Sequence, residues 1–410
     1  MTSEQASADA GIRRRSVLAS LLAVGTTSGC LRTLSPNSGD DASGGTDEAT
    51  GSSDDGDTSG AEGTSDESAG DRTSWPLYQR DRSNSGQRSN ISDFESPSFE
   101  WSFTDEDSGY GFKSPVVHDD VVYVSTNEAV HAVRGSDGEP VWSAALDALG
   151  GVCAATEESV FVGDRDGNLV QFDRSSGERQ WETQPGGRIW YGPTVAEGTL
   201  FVGSDTGIFV YDIDEQTRQW TLQPEGNIPA PVPSPVVDRD SVYTTIEQTL
   251  FKFDRQTGEQ LWTYPFLEQV RGPTALHGDR LITNLKTSVI AVDRHSGDRL
   301  WSQSLTDDYL SQSPAVTADM VVIGRPSGLV ALAPDTGDVR WTLDTAAPLG
   351  PPLVLGETIY SLSADGTLYG VSKDGEQQFR KVAGNGGQTA IAATSTALYV
   401  ASGAELVALS

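Results

Sequence analysis

An aromatic residue recurs every 38 to 42 positions along the last three quarters of the chain. The positions are Trp101, Trp142, Trp181, Trp220, Trp262, Trp301, Trp341 and Phe379. A constant period of this kind is typical of repeat proteins, in which each period forms one structural unit. Each period here contains four short runs rich in Val, Ile, Leu, Tyr and Phe, separated by turns and without helical spacing. Such runs predict four β-strands per unit.

The four-strand unit also predicts how the chain closes on itself. Radially arranged antiparallel units of this length form a β-propeller. Eight units follow residue 114, but the last one, which ends at Ser410, has room for only three strands. An isolated strand at residues 98–103 predicts the missing one, because its pairing would remove a free sheet edge. The expected fold is all-β: an eight-bladed β-propeller of four-stranded antiparallel blades over residues 75–410, with a linear β-solenoid as the alternative.

The turn before each aromatic residue has a pattern of its own. In Asp173-Arg174-Ser175-Ser176-Gly177 the aspartate can accept hydrogen bonds from turn amides and the glycine can supply a positive φ. The third unit keeps Asp212 and Trp220 without the glycine. We interpret all seven tryptophans of the period as structural residues that dock one blade onto the next.

This pattern carries a family resemblance. Residues 291–301, with Asp293, Gly297 and Trp301, resemble the Ala-x-Asp-x-x-x-Gly-x-x-x-Trp docking repeat of the pyrroloquinoline-quinone-type β-propellers. The opening Trp75-Pro76-Leu77-Tyr78-Gln79-Arg80-Asp81 is similar to the segment that commonly precedes these propellers. The resemblance covers residues 75–410. It implies either a quinoprotein dehydrogenase or a non-enzymatic propeller similar to the lipoprotein of the bacterial β-barrel assembly machinery.

The enzyme branch implies features that this sequence lacks. Quinoprotein alcohol dehydrogenases carry an adjacent-cysteine disulfide and long insertions, whereas the spacings here are uniform and the two cysteines are far apart. The segment nearest to a calcium loop, residues 164–168, has no following Glu at bidentate spacing and predicts a β-turn. We therefore expect no metal site and no cofactor. Pyrroloquinoline quinone (PQQ) with calcium remains the alternative.

Residues 1–30 predict an export signal. Arg14 and Arg15 begin a twin-arginine-type motif, and the apolar run that follows is too short to span a bilayer. Cys30 ends a sequence that resembles a lipobox and is the predicted site of lipidation, with cleavage and release as the alternative. Residues 31–74 are acidic, rich in Ser, Gly and Asp and without aromatic residues, which predicts a disordered tether.

The net charge is −31, from 28 Lys+Arg against 59 Asp+Glu. This charge argues against nucleic-acid binding, which needs a basic face. Arginine supplies nearly all the positive charge, and an acidic, lysine-poor surface is suited to concentrated salt, where screening removes self-repulsion. Together with the signal, this composition is typical of an exported lipoprotein of a haloarchaeal cell.

A binding surface is predicted where the loops leading into each first strand meet the loops joining the second and third strands. Basic and aromatic residues gather there, although loops of any propeller carry some. No sequence signature of a Ser/His/Asp triad is present, so we predict no catalytic residue. The candidate residues are Lys113, Arg188, Trp190, Tyr191, Arg271, Lys286, Tyr309 and Arg325.

These observations favour a monomeric, non-catalytic scaffold on the outer face of the cytoplasmic membrane. It would bind other envelope or secreted proteins and touch the membrane only through its lipid anchor. Two alternatives remain: a PQQ-dependent dehydrogenase of reduced form, and a binder of a small anionic solute at the basic mouth.

Overall fold

The computed structural model describes residues 74–89, 93–105, 111–148, 150–223, 231–305, 310, 313–387 and 389–410. All the regular secondary structure in these ranges is β-strand. The strands form eight sheets, each with four antiparallel strands from the repeat, which confirms the predicted all-β, eight-bladed propeller. Cys30, Arg14, Arg15 and the tether up to residue 73 lie outside the described residues. Within those residues, no helix has the length and apolar character needed to cross a membrane.

The blades are numbered in chain order, and strands one to four run outward from the axis. Blade 1 comprises Val116–His118, Val121–Ser125, Ala129–Arg134 and Pro140–Ala145. Blade 2 comprises Ala154–Ala155, Ser159–Gly163, Leu169–Asp173 and Arg179–Thr183. Blade 3 comprises Thr194–Ala196, Thr199–Ser204, Gly207–Asp212 and Thr217–Leu222. Blade 4 comprises Val236–Val237, Ser241–Ile246, Thr249–Asp254 and Gln260–Pro265.

The second half of the ring repeats this arrangement. Blade 5 comprises Ala275–His277, Arg280–Asn284, Ser288–Asp293 and Arg299–Ser304. Blade 6 comprises Ala315–Val316, Val321–Arg325, Gly328–Leu332 and Val339–Asp344. Blade 7 comprises Leu353–Leu355, Thr358–Leu362, Thr367–Ser372 and Gln377–Val382. Blade 8 comprises Thr389–Ala393, Leu398–Ser402, Glu405–Leu409 and, from before the first blade, Phe99–Thr104.

The early strand Phe99–Thr104 pairs with the last strand of the chain. Trp101 lies opposite Ala408 in an antiparallel ladder, and Ser98 and Ser410 exchange two backbone hydrogen bonds beside it. This pairing agrees with the prediction that an N-terminal strand supplies the fourth strand of the last blade. A further short strand, Gln87–Arg88, pairs in parallel with the first strand of blade 7.

The first strands lie nearest the axis, where those of blade 1 and blade 8 contact each other. The first three strands of each blade are almost wholly buried, whereas the fourth alternates between exposed and partly buried residues. The core is divided into seven hydrophobic clusters, each shared by consecutive blades. Burial on both faces of each sheet explains why the strands read as continuous apolar runs.

The tryptophans of the fourth strands lie against the turns of the following blades. Trp262 packs on Gly297, which has φ 78°, and a β-carbon added there would meet the indole ring at 2.8 Å. The same ring donates its Nε1–H to the carbonyl of Arg294 at 3.2 Å. Only glycine combines this backbone conformation with so close an approach. Equivalent pairs are Trp101 with Gly138, Trp142 with Gly177, Trp220 with Gly258, Trp301 with Gly337 and Trp341 with Gly375.

Candidate functional site

One face of the ring, here called the mouth face, carries the loops that lead into each first strand and those that join strands two and three. The opposite face, the turn face, carries the remaining turns. On the mouth face the guanidinium of Arg165 lies 4.1 Å from the ring centre of Trp190. The pKa of Lys113 is lowered by burial and by the nearby charge of Arg165. Arg165 of blade 2 therefore contacts one predicted residue, Trp190 of blade 3, and its charge acts on a second, Lys113, which precedes blade 1.

The position of Arg165 follows from the turn that carries it. One carboxylate oxygen of Asp164 accepts hydrogen bonds from the amides of Asp166 and Asn168, at 3.0 and 2.8 Å. The other accepts the side-chain amide of Asn168 at 2.7 Å. The carboxylate of this buried aspartate is thus used inside the turn, which agrees with the predicted β-turn. Arg165 projects from the tip of this rigid loop.

A second group lies deeper, towards the axis. The hydroxyl of Tyr78 is hydrogen-bonded to Ser313 Oγ at 2.9 Å, and burial raises the pKa of Tyr78 to about 12. Burial also raises the pKa of Tyr191, while the charge of Arg271 opposes that rise. The charge of the predicted residue Arg271 therefore acts on the phenol of a second predicted residue, Tyr191. Tyr78 was not predicted, because it precedes the first repeat and no sequence signal marks it as a mouth residue.

Three other predicted cations have contacts of their own. Arg188 has an exposed side chain, and its backbone amide donates to Asp205 at 2.7 Å. Arg325 is paired with Asp344 at 3.3 Å. Lys286 lies beside Glu268. Burial alone would raise the pKa of Glu268. Hydrogen bonds from Thr287 and Ser288, together with the charge of Lys286, outweigh burial and hold this pKa below its usual value. Tyr309 lies outside the described residues.

A small cavity borders the axis between blades 7, 8 and 1. Its volume of about 20 Å³ has room for one or two water molecules. It is lined by Trp75, Tyr78, Gln79, Ser114, Pro115, Pro351, Leu353, Ala390 and Ile391.

The resemblance to the pyrroloquinoline-quinone-type propellers implies PQQ with calcium, which would need an open aromatic surface and a group of metal ligands. The face of Trp190 is covered by Arg165, and Tyr78 occupies the axis, bonded to Ser313. The cavity beside Tyr78 is far smaller than a tricyclic quinone. Among the described residues, no three His, Cys, Asp or Glu side chains are grouped to hold a metal ion. The described residues do not fit this cofactor, and we derive no reaction step through it.

A Ser/His/Asp group does occur between blades 8 and 1. His131 Nε2 lies 3.1 Å from Asp105 Oδ2, and its Nδ1 lies 3.2 Å from Ser143 Oγ. The imidazole also packs between Phe103 and Phe112, with ring centres 5.4 and 6.0 Å away. Ser143 lies on the exposed outer strand, whereas His131 is buried. Sequence could not reveal this group, because its members come from different strands and carry no local motif.

Comparisons with known proteins place the chain among similar propellers. The family model described as outer membrane protein assembly factor BamB matches residues 126–283, 226–304 and 285–410. The outer membrane protein assembly factor BamB of Burkholderia pseudomallei (strain K96243) is 29% identical over 133 residues, covering 31% of this chain and 34% of that protein. The quinohemoprotein alcohol dehydrogenase of Comamonas testosteroni is 24% identical over 284 residues, covering 58% of this chain and 39% of that enzyme. The match thus spans less than half the length of either curated relative.

Solved structures agree with this placement. The crystal structure of BamB from Moraxella catarrhalis matches with a TM-score of 0.65 at 18% identity, covering 77% of this chain and 97% of that chain. At this identity the likeness shows the fold alone.

Proposed function

Since the chain belongs to the family of the outer membrane protein assembly factor BamB, we propose that it is a non-catalytic binding module that holds other envelope or secreted proteins at its mouth face. The observation that carries this proposal is that cationic and aromatic side chains from several blades lie in two groups on the mouth face. Arg165 is stacked on Trp190 beside Lys113, and Tyr191 lies near Arg271. Tryptophan, tyrosine and arginine are the residues that most often dominate the energy of protein interfaces.

The rigidity of these loops supports the same proposal. The turn that carries Arg165 is held by the Asp164 carboxylate, and Tyr78 is bonded to Ser313 beneath Tyr191. Side chains held in place before binding lose little conformational entropy when a partner docks. The cations of the mouth then favour partners that present carboxylates there, although the chain as a whole is acidic, with a net charge of −31.

The location of the module is part of the proposal. A twin-arginine-type signal with Arg14 and Arg15, lipidation of Cys30 and an acidic tether would hold a monomeric propeller on the outer face of the cytoplasmic membrane. The salt-adapted acidic surface suits a halophilic cell. The docking tryptophans and residues 75–410 then form the rigid body that the tether displays, and the membrane is contacted through the lipid alone.

The test is a crosslinking capture from intact membranes at native salt, using the full chain. The double variant Lys113→Glu with Arg271→Glu should lose the partners that the wild-type chain captures. A matched control, Arg134→Glu with Arg280→Glu, makes the same change in net charge on the turn face and should retain them. Equal capture by the wild type and the mouth variant, or equal loss in both variants, would contradict the proposal.

A second measurement separates binding from the enzymatic alternative. PQQ and calcium are added to the pure protein, and a bound chromophore and dye reduction are followed. We expect neither. Stoichiometric binding with turnover would overturn the non-catalytic proposal, and tight binding of a small carboxylate without turnover would favour a solute-binding mouth.

A further inference from the structure

Residues 74–88 precede the first blade and run around the axis of the ring, against the first strands of successive blades. Their carbonyl oxygens accept backbone hydrogen bonds from the first strands of several blades, and Trp75 also donates to Val117 at 2.6 Å. The bonds are short, between 2.8 and 2.9 Å. The donor amides and their acceptors are Val117 to Trp75, Ala155 to Pro76, Val237 to Arg82, Leu276 to Ser83, Val316 to Ser85 and Val354 to Gly86. The backbone of one unrepeated segment is therefore hydrogen-bonded to six of the repeated units.

The contacts use an equivalent site in each repeat. Each donor lies three or four residues after the first member of the Ser-Pro, Gly-Pro or Gly-Val pair that leads into its blade. These first strands are the inner edges of their sheets, so the amides would otherwise face the channel. Satisfying the open edge of a sheet with an added chain is a general way of binding an extended segment.

Side chains of the segment bridge neighbouring blades. The amide of Asn84 donates to the carbonyls of Ser234 and Thr274, at 3.4 and 3.3 Å, which lead into blades 4 and 5. Arg82 is paired with Glu197 of blade 3 at 2.9 Å. Trp75 is 1% exposed and belongs to the hydrophobic cluster that joins blades 7, 8 and 1.

The segment is also organised internally. Gln79, Arg80, Asn84 and Gly86 all have a positive φ, between 52° and 81°, which winds the chain into a tight course. The carboxylate of Asp81 accepts from the amides of Ser83 and Ser85, at 2.9 and 3.1 Å. Conformations of this kind persist only where surrounding contacts hold them.

We propose that residues 74–88 act as a cooperative clasp, which closes the channel towards the turn face and ties six blades together. Ordering so many backbone dihedrals is costly, so no single bond could hold the segment in place. The clasp therefore binds all its partners together or none. One consequence is that the mouth does not continue through the ring to the turn face. Tyr78 of the clasp lies at the bottom of the mouth.

This inference does not depend on what the mouth binds. A ring that binds partners could have an open channel, and a clasped ring could bind nothing. It does change how the tether predicted by the sequence would be joined to the ring, because residues 31–73 end where the clasp begins.

The test is native-state hydrogen exchange on the full chain at high salt. The donor amides Ala155, Val237, Leu276, Val316 and Val354 should share one opening equilibrium in the wild-type protein. The variant Asn84→Gly keeps the positive φ but removes the amide that bridges blades 4 and 5. It should speed exchange at all five donors by a common factor of about ten, the effect of losing roughly one net hydrogen bond, and leave second-strand amides unchanged.

A matched control is Asn168→Gly, which removes a buried amide that is bonded within its own turn of blade 2. Its effect should stay within that turn. Different opening equilibria at the five donors of the wild-type chain would overturn the proposal without any variant. So would an effect of Asn84→Gly confined to Val237 and Leu276.

Discussion

Six of the eight junctions between neighbouring blades share one construction, in which a tryptophan lies on a glycine. The junction between blades 7 and 8 has Phe379 at the tryptophan position, and the junction between blades 2 and 3 lacks the glycine. At the junction between blades 5 and 6, Trp301 lies on Gly337 and donates to the carbonyl of Pro334 at 2.8 Å. At the junction between blades 2 and 3, Gln216 takes the place of the glycine, and its own φ is 55°. Trp181 there packs edge-on against Tyr211, with ring centres 5.4 Å apart. The sequence already showed that this turn lacks the glycine. Without it, the tryptophan packs differently.

The exceptional junction is joined by other contacts. The side-chain amide of Gln216 donates to Gln171 of blade 2 at 3.3 Å, and Arg165 of blade 2 stacks on Trp190 of blade 3 at the mouth. At this junction the two blades are joined by polar contacts as well as by the tryptophan. The mouth contact of this junction therefore joins two blades and also shapes the proposed binding surface.

The largest expected effect on the free energy of unfolding comes from the loss of a docking tryptophan. Trp301→Ala should lower the free energy of unfolding by about 3–5 kcal/mol, since a buried ring and its hydrogen bond are removed. Trp181→Ala should cost only about 1–2 kcal/mol, because this ring is partly exposed and lies on no glycine. Denaturant unfolding at constant high salt measures both. Equal losses would show that the two kinds of junction are energetically alike.

Exchanging the turn residues sharpens the comparison. Gly297→Gln should cost about 2 kcal/mol or more, because a side chain at positive φ would collide with Trp262. Gln216→Gly should change stability by less than about 1 kcal/mol, since relief of the backbone strain offsets the lost bond to Gln171. The same unfolding measurement applies to both variants. A large loss in Gln216→Gly would mean that its side chain is the main link at that junction.

The junction between blades 8 and 1 should respond to pH through His131. Burial lowers the pKa of His131 below its usual value, although Asp105 opposes the change. The unfolded chain therefore binds the proton more readily, and stability is lost as the pH falls below about 6.5. Unfolding midpoints between pH 8 and pH 5 should fall less steeply in His131→Asn than in the wild type. A slope in His131→Asn as steep as that of the wild type would contradict the prediction.

The smallest expected effect concerns Cys153. This thiol is fully buried, and burial raises its pKa to about 12. In a Cys30→Ser background the folded protein should release no chromophore from a thiol reagent at pH 8, because the thiolate is the reactive form. One equivalent should appear on unfolding. Rapid labelling of the folded protein would mean that the junction between blades 1 and 2 opens readily.

Much of the fold was predictable because its signals are local. Each blade needs four short apolar runs, a turn with Asp and Gly and a tryptophan, all within a single period of the sequence. The mouth residues Lys113, Trp190, Tyr191 and Arg271 were predicted from loop position alone. The same reasoning could not separate Lys286 and Arg325, which lie beside carboxylates, from the cations grouped with aromatic rings.

The sequence by itself determined the number of blades, the strands of each and the place of every docking tryptophan, since a repeat encodes its unit within one period. Only the tertiary structure decided the path of residues 74–88, the meeting of Tyr78 with Ser313 and the grouping of Asp105, His131 and Ser143. The partners in these contacts come from different strands or different blades and follow no period. The closed ring brings them together, because it places the start of the propeller beside its repeats.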